Sequence, residues 1–192
     1  MFDRSLNTVL RRPLESTARV LVALGWRADQ MTWAGFMAGL TAVPLIALDH
    51  PRWALISMAL NRLADGLDGA MARLTQPTDR GAFLDIALDF LFYSAVPLAF
   101  VLAAPERNGL PGALLIYSFV GTGCTFLAFA VLAAKRGDTS PAYPDKGFFY
   151  LGGLTEGAET IAVFTAMALW PAAFPALALI YALACAVTTL LR

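Results

Sequence analysis

The chain has 192 residues, in which fourteen Lys and Arg balance fourteen Asp and Glu for a formal net charge of zero. Hydrophobic side chains make up 58% and charged ones only 15%, against roughly 45–50% and about 25% in soluble domains, and the mean hydropathy is +0.64. That balance excludes a disordered chain, a basic nucleic-acid binder and an ordinary soluble domain, and leaves a single integral membrane domain over residues 1–192 as the expectation.

Residues 1–27 differ from the rest of the chain. Arg4, Arg11, Arg12, Glu15 and Arg19 alternate with Phe2, Leu6, Val9, Leu10, Leu14, Leu21 and Leu24 at three- and four-residue steps. That pattern predicts an amphipathic helix in the headgroup plane, bent or restarted at Pro13. Six apolar stretches then approach the ~20 residues a spanning helix needs: Met31–Leu48, Trp53–Leu74, Ala82–Ala103, Leu110–Ala134, Phe148–Leu169 and Ala172–Leu191. Short breaks separate them, at Asp49–Arg52, Thr75–Arg80, Pro105–Gly109, Lys135–Gly147 and Trp170–Pro171. The expected fold is therefore all-α: an N-terminal juxtamembrane helix and a six-helix transmembrane core over residues 31–191.

Positive charge sets the orientation. With the N-terminus in the cytoplasm, Arg4, Arg11, Arg12, Arg19, Arg27, Arg73, Arg80, Lys135, Arg136, Lys146 and Arg192 all fall inside, and only Arg52 and Arg107 fall outside. Both termini and the Thr75–Arg80 loop then face the cytosol. Cys124 and Cys185 sit in apolar runs without metal-ligand spacing and read as small core residues. The single histidine, His50, lies beside Pro51 in a polar break, which argues against Ser-His or Cys-His catalysis.

The second and third stretches carry the chemistry. Asp65 and Asp68 are spaced i, i+3, and Asp85 and Asp89 i, i+4, so each pair shares a helix face. A carboxylate at the bilayer centre costs ~2.5–3.5 kcal/mol, so four of them must face one another, a wet cavity or bound cations. The short loop makes the two helices antiparallel neighbours and sets both pairs at similar depth, in a cluster open to the cytoplasm. Divalent cations would relieve the repulsion. Oxygen-only donors favour Mg²⁺ or Mn²⁺, whose shell substrate phosphates often complete. A diphosphate substrate and a pair of ions fit this pattern. Gly66, Gly69, Ala70 and Ala72 leave room beside the carboxylates, and Arg73 at the cytoplasmic end could clamp phosphate oxygens.

The run Asp65-Gly66-Leu67-Asp68-Gly69-Ala70-Met71-Ala72-Arg73, followed by Gly81-Ala82-Phe83-Leu84-Asp85-Ile86-Ala87-Leu88-Asp89, resembles the signature of the CDP-alcohol phosphotransferases, D-x2-D-G-x2-A-R, a spacer, then G-x3-D-x3-D. The spacer is one residue shorter than the usual family pattern. Ala28-Asp29-Gln30-Met31-Thr32 loosely resembles the family's P-N-x-[IL]-T lead-in. The resemblance implies transfer of a substituted phosphate from a CDP-alcohol, commonly CDP-diacylglycerol, to an acceptor alcohol with release of CMP, by a homodimer in a bacterial or archaeal cytoplasmic membrane. Carried over by position, Asp65, Asp68 and Asp85 are metal ligands. Asp89 is the general base and a further candidate ligand. Gly69 and Ala72 line the cytidine pocket, Arg73 contacts the nucleotide, and Gly81 permits close approach.

The acceptor is open. Arg80, Lys135, Arg136 and Lys146 lie on the active side and suit a phosphorylated acceptor; Glu156 and Glu159, spaced i, i+3, suit an amine or hydroxyls, or a pairing with Arg62. Asn61 and Arg62, one turn from Asp65, are candidate supporting partners. Two other classes use aspartates in membranes: prenyltransferases that bind Mg²⁺-diphosphate, and divalent-cation transporters.

Overall fold

The computed structural model describes residues 3–136 and 155–192, with side chains from residue 12 onward. Among the described residues there are eight α-helices, one 3-10 turn and no strand. The helices are α1 (Asp3–Ala23), α2 (Ala28–Leu40), α3 (Ala42–Ala47), α4 (Pro51–Leu74), α5 (Asp79–Ala103), α6 (Pro105–Arg136), α7 (Gly157–Leu169) and α8 (Phe174–Leu191), the turn being Pro171–Ala173.

Helix α1 runs unbroken through Pro13, where a bend or restart was expected. It ends where Gly25 adopts φ 86°, which lets the amide of Trp26 reach back to the carbonyl of Leu21 at 3.0 Å. This is a left-handed glycine cap of the kind that closes many helices. Along α1, Leu14, Ala18 and Leu21 pack with Ala70 and Met71 of α4. A Cβ at Gly66 would meet Leu14 at 3.0 Å, so Gly66 serves close helix packing here rather than leaving ligand space.

The first expected span begins earlier, at Ala28, and is interrupted at Thr41. Pro44 explains the interruption: it has no N–H to bond the carbonyl of Leu40, where α2 stops. Thr41 Oγ1 lies 2.6 Å from the Ala38 carbonyl and 2.7 Å from Ser57 Oγ, tying the break to α4. The fourth expected span also begins earlier. Pro105–Gly109, expected as a break, is the first turn and more of α6, because proline is well suited to the first position of a helix. Of the fifth, Phe148–Leu169, only Thr155–Leu169 falls among the described residues, as does the start but not the remainder of the Lys135–Gly147 break.

Helices α2 and α3 form the centre of the site-bearing half. They pack against both α4 and α5, while α4 and α5 make little backbone contact with each other. The antiparallel pair expected from the short loop is thus wedged open. Close approach of α2 to α4 depends on glycine: a Cβ at Gly35 would collide with Ala64, and one at Gly39 would crowd Asn61. The other half is an apolar core of Ile46, Met58, Phe92, Val96, Leu115, Phe119, Phe164 and Met167, with Phe100 and Phe174 stacked at 4.6 Å. Cys185 belongs to this core, but Cys124 is exposed on α6, contrary to expectation.

Among the described residues, four segments are long and apolar enough to cross a membrane: Ala28–Ala47, Asp79–Ala103, Pro105–Arg136 and Pro171–Leu191. Helix α4 is equally long at 24 residues, but Arg52, Arg62, Asp65, Asp68 and Arg73 lower its hydropathy. Leu110, Tyr117, Val131, Ile180, Leu183 and Leu190 are exposed on the outer faces, as side chains that meet lipid tails would be.

Candidate active site

Three helices converge on the carboxylates. From α4, Asn61, Arg62, Asp65 and Asp68 project at helical spacing. Asp85, Asp89 and Tyr93 recur every four residues on one face of α5. Between them α2 supplies Thr32, Gly35 and Phe36. Helix α5 is set in register by its cap: Thr78 Oγ1 accepts the amide of Gly81 at 3.0 Å, which satisfies a free donor of the first turn.

The four aspartates line one pocket together with Thr32, Gly35, Phe36, Asn61 and Leu88. One oxygen from each of Asp65, Asp68 and Asp85 lies within 4.8 Å of the others. Asp68 is only 6% exposed, and its Oδ2 is buried without a hydrogen-bond partner. A buried, bare carboxylate oxygen is costly, and a hard cation is the partner that three converging carboxylates suit. The donor set therefore fits Mg²⁺ or Mn²⁺.

Asp89 lines the same pocket without joining that close group. Its Oδ1 accepts Arg62 Nη2 at 2.5 Å, and its Oδ2 accepts Arg62 Nη1 at 3.4 Å and the Tyr93 hydroxyl at 3.3 Å. Arg62 Nη1 also reaches Asp65 Oδ2 at 3.5 Å. Asn61 Oδ1 accepts both Nε and Nη2 of Arg62, at 3.0 and 2.7 Å. Asn61 Nδ2 in turn donates to the Gly35 carbonyl at 3.1 Å.

Across residues 26–190 the chain matches the family model described as CDP-alcohol phosphatidyltransferase. The chain belongs to that family. It is thus a CDP-alcohol phosphotransferase, a membrane transferase of phospholipid synthesis, which sets the prenyltransferase and transporter alternatives aside. It is 50% identical to the inner membrane protein YnjF of Escherichia coli strain K12 over 192 residues, all of this chain and 93% of that protein. It is 31% identical to the archaetidylinositol phosphate synthase of Pyrococcus horikoshii over 112 residues, 58% of this chain and 60% of that one. Among solved structures it resembles the Mycobacterium tuberculosis phosphatidylinositol phosphate synthase with CDP-DAG bound, with TM-score 0.70 and 25% identity over 94% of this chain and 92% of that one. A second structure of that enzyme, in complex with manganese and citrate, gives TM-score 0.68 and 25% identity over 93% and 86% of the two chains.

The other candidate residues of this phosphotransferase lie outside the carboxylate pocket. Arg73 is exposed, and a Cβ at Gly69 would lie 3.4 Å from its Nη1, so the guanidinium folds back over Gly69. Ala72 is half-buried beside it. Gly81 stands at the N-terminal end of α5, where a Cβ would approach Thr78 Oγ1 at 3.2 Å and Asp29 Oδ1 at 3.5 Å. Arg80 pairs with Asp29 at 3.4 Å, joining the starts of α2 and α5. Lys135 and Arg136 are exposed at the end of α6. Glu156 and Glu159 stand at the start of α7, and Lys146 lies outside the described residues. Arg62 pairs with Asp89 and Asp65, not with Glu156 or Glu159. Tyr93, which bonds Asp89, and Thr32, which lines the pocket, were not expected at the site. The i+4 spacing of Tyr93 from Asp89 was the available signal for the first.

Proposed function

We propose that this phosphotransferase moves the phosphatidyl group of CDP-diacylglycerol to an acceptor alcohol and releases CMP, with Asp65, Asp68 and Asp85 as the residues that hold a divalent cation. The chief support is the close approach of those three carboxylates with one oxygen buried and bare. The M. tuberculosis neighbour has been solved with CDP-DAG bound and in complex with manganese, which supports the donor and the metal. Bound here, Mg²⁺ or Mn²⁺ would neutralise the diphosphate and make CMP a better leaving group.

Asp89 is the general base. It takes the proton of the acceptor hydroxyl as the oxygen bonds to the phosphorus that carries diacylglycerol and the bond to the CMP oxygen breaks. Tyr93 and Arg62 hold its carboxylate in one orientation. Gly69 and Ala72 border the cytidine, Arg73 contacts the nucleotide, and Gly81 lets it approach the start of α5. Cytidine enters from the cytosol while the acyl chains stay in the bilayer. In this arrangement α2–α3, α4, α5, α6, α7 and α8 make six crossings and α1 lies at the cytoplasmic interface. The chain pairs as a homodimer in a bacterial inner membrane, like the compartment named for its E. coli relative. Residues 1–192 act as one domain.

The acceptor is read by experiment. Purified protein with CDP-diacylglycerol and Mg²⁺ or Mn²⁺ is expected to release CMP with one class among polyols, phosphorylated polyols and amino alcohols. Arg80, Lys135 and Arg136 are the candidates for a phosphorylated acceptor, Glu156 and Glu159 for an amine or hydroxyls. Failure to release CMP with every class would overturn the proposal.

A further inference from the structure

We infer that the outward side of α1 is a binding surface for anionic phospholipid headgroups, held by Arg12 and Arg19, and that their binding raises activity by seating α1 on α4. The second half of the inference rests on the phosphotransfer reading above, and the first half does not.

Helix α1 has three faces. Leu14, Ala18 and Leu21 turn toward α4, where they pack with Ala70 and Met71. Val20 and Leu24, spaced i, i+4, share a second face and are 58% and 71% exposed. Arg12 and Arg19 are exposed on a third, since seven residues bring a helix back to nearly the same side. The apolar second face needs a cover, and the chain that follows shows which. Leu24 leads through exposed Trp26 into α2, where Trp33 and Met37 are exposed on a segment able to cross a membrane. Tryptophan favours the boundary between headgroups and acyl chains. The Val20 and Leu24 face therefore dips into the bilayer that surrounds α2, and the arginines on the neighbouring face stand at headgroup depth.

Charge selects the headgroup. Residues 3–27 carry Arg4, Arg11, Arg12, Arg19 and Arg27 against Asp3 and Glu15. Glu15 meets Arg19 only at 3.9 Å, with the arginine 69% exposed, and an exposed pair of that kind holds its partners weakly. A cluster of four or more arginines on an amphipathic helix attracts anionic lipid. The opposite face of α1 carries the consequence. A Cβ at Gly66 would lie 3.0 Å from Leu14, so α1 touches α4 between Asp65 and Asp68. A headgroup that holds α1 down steadies the stretch of α4 that carries both carboxylates.

The test uses the full-length chain in phosphatidylcholine bilayers with a trace of spin-labelled phosphatidylglycerol or phosphatidylcholine, and reads the motionally restricted fraction of each by electron paramagnetic resonance. The unaltered chain is expected to prefer phosphatidylglycerol. The preference should fall by up to about fivefold per arginine removed in Arg12→Gln/Arg19→Gln, and persist in Arg12→Lys/Arg19→Lys, because the attraction is one of charge. Both arginines are exposed, so neither exchange disturbs a packed contact. The same three proteins are then compared for CMP release at a fixed fraction of CDP-diacylglycerol, with and without phosphatidylglycerol. Release should rise severalfold with phosphatidylglycerol in the unaltered and lysine proteins and stay flat in the glutamine protein, with equal rates for all three in phosphatidylcholine alone. An equal preference in all three proteins would overturn the lipid surface, as it would if a second copy or another protein covered this face. A preference that depends on the arginines with no gain in CMP release would overturn the coupling to α4. Absence of CMP release from every bilayer would overturn the phosphotransfer reading and the activation with it, while the spin-label measurement still decides the lipid surface.

Discussion

Asp89 and Asp68 sit in one pocket yet differ in what surrounds them. Asp89 is ringed by donors from Arg62 and Tyr93, whereas Asp68 keeps a buried oxygen with no partner. The first arrangement orients a carboxylate, and the second leaves one waiting for a cation. Asp89→Asn is therefore expected to lower turnover by about 10²–10⁴-fold, the usual contribution of a positioned base, while cytidine nucleotide binding stays within a few-fold of the unaltered protein in a calorimetric titration. Near-normal turnover would remove Asp89 from its role. Tyr93→Phe deletes the 3.3 Å hydrogen bond to Asp89 and the 3.2 Å one accepted from Arg62, and should cost roughly 1.5–3 kcal/mol, or about 13- to 160-fold in kcat, with KM for CDP-diacylglycerol little changed. The pairing of Asp65 with Asp68 and of Asp85 with Asp89 could be read from spacing alone. What spacing could not show is the partner of Arg62, since Asp89, Asp65 and the glutamates of α7 are all chemically suitable and only the packing of α5 against α2 decides among them.

At the scale of helices, the site exists because α2 approaches α4 closely enough to hold Asn61 while keeping α4 and α5 apart. Gly35 makes this possible, since any Cβ there collides with Ala64. Gly35→Val is expected to destabilise the fold by roughly 1–3 kcal/mol, as overpacking does, seen as a lower midpoint of thermal unfolding in detergent. Gly109→Ala is the control: a Cβ there meets nothing within 4 Å, and the exchange within α6 should be neutral or stabilising by up to ~1 kcal/mol. A midpoint that falls equally for both would disconnect the Gly35 effect from the α2–α4 contact. Hydropathy located most helices but misplaced two features, both at prolines. Pro44 lies inside an apolar run, so its missing N–H left no mark on the hydropathy that would separate α2 from α3. Pro105 opens a polar stretch, Glu106-Arg107-Asn108-Gly109, that reads as a loop. It is helical because Pro105 suits a first turn and buried Asn108 donates from Nδ2 to the Phe100 carbonyl at 2.7 Å, capping the end of α5.

Among the described residues, several charged side chains outside the pocket stand at two opposite ends of the helices. Arg27 and Asp29 at the start of α2, Arg73 at the end of α4 and Arg80 at the start of α5 share one end, which the Asp29–Arg80 pair draws together. Arg192 closes α8 against the later part of α6, donating to the Thr122 carbonyl at 3.0 Å. Arg52 and Arg107 stand at the opposite ends of α4 and α6. The positive-inside bias predicts a cytoplasmic place for the first end, and the carboxylate pocket lies nearer to that end, on the C-terminal half of α4 and the N-terminal half of α5. Sidedness and metal dependence can therefore be tested together with a chelator that does not cross the membrane. In sealed inside-out vesicles, EDTA added to the outer solution should silence CMP release, and excess Mg²⁺ or Mn²⁺ should restore it. In sealed right-side-out vesicles loaded with the acceptor and supplied with CDP-diacylglycerol, the same addition should leave CMP release unchanged. Inhibition only in the right-side-out vesicles would reverse the orientation. Full activity in both, and after detergent opens them to the chelator, would show that the carboxylates work without a metal.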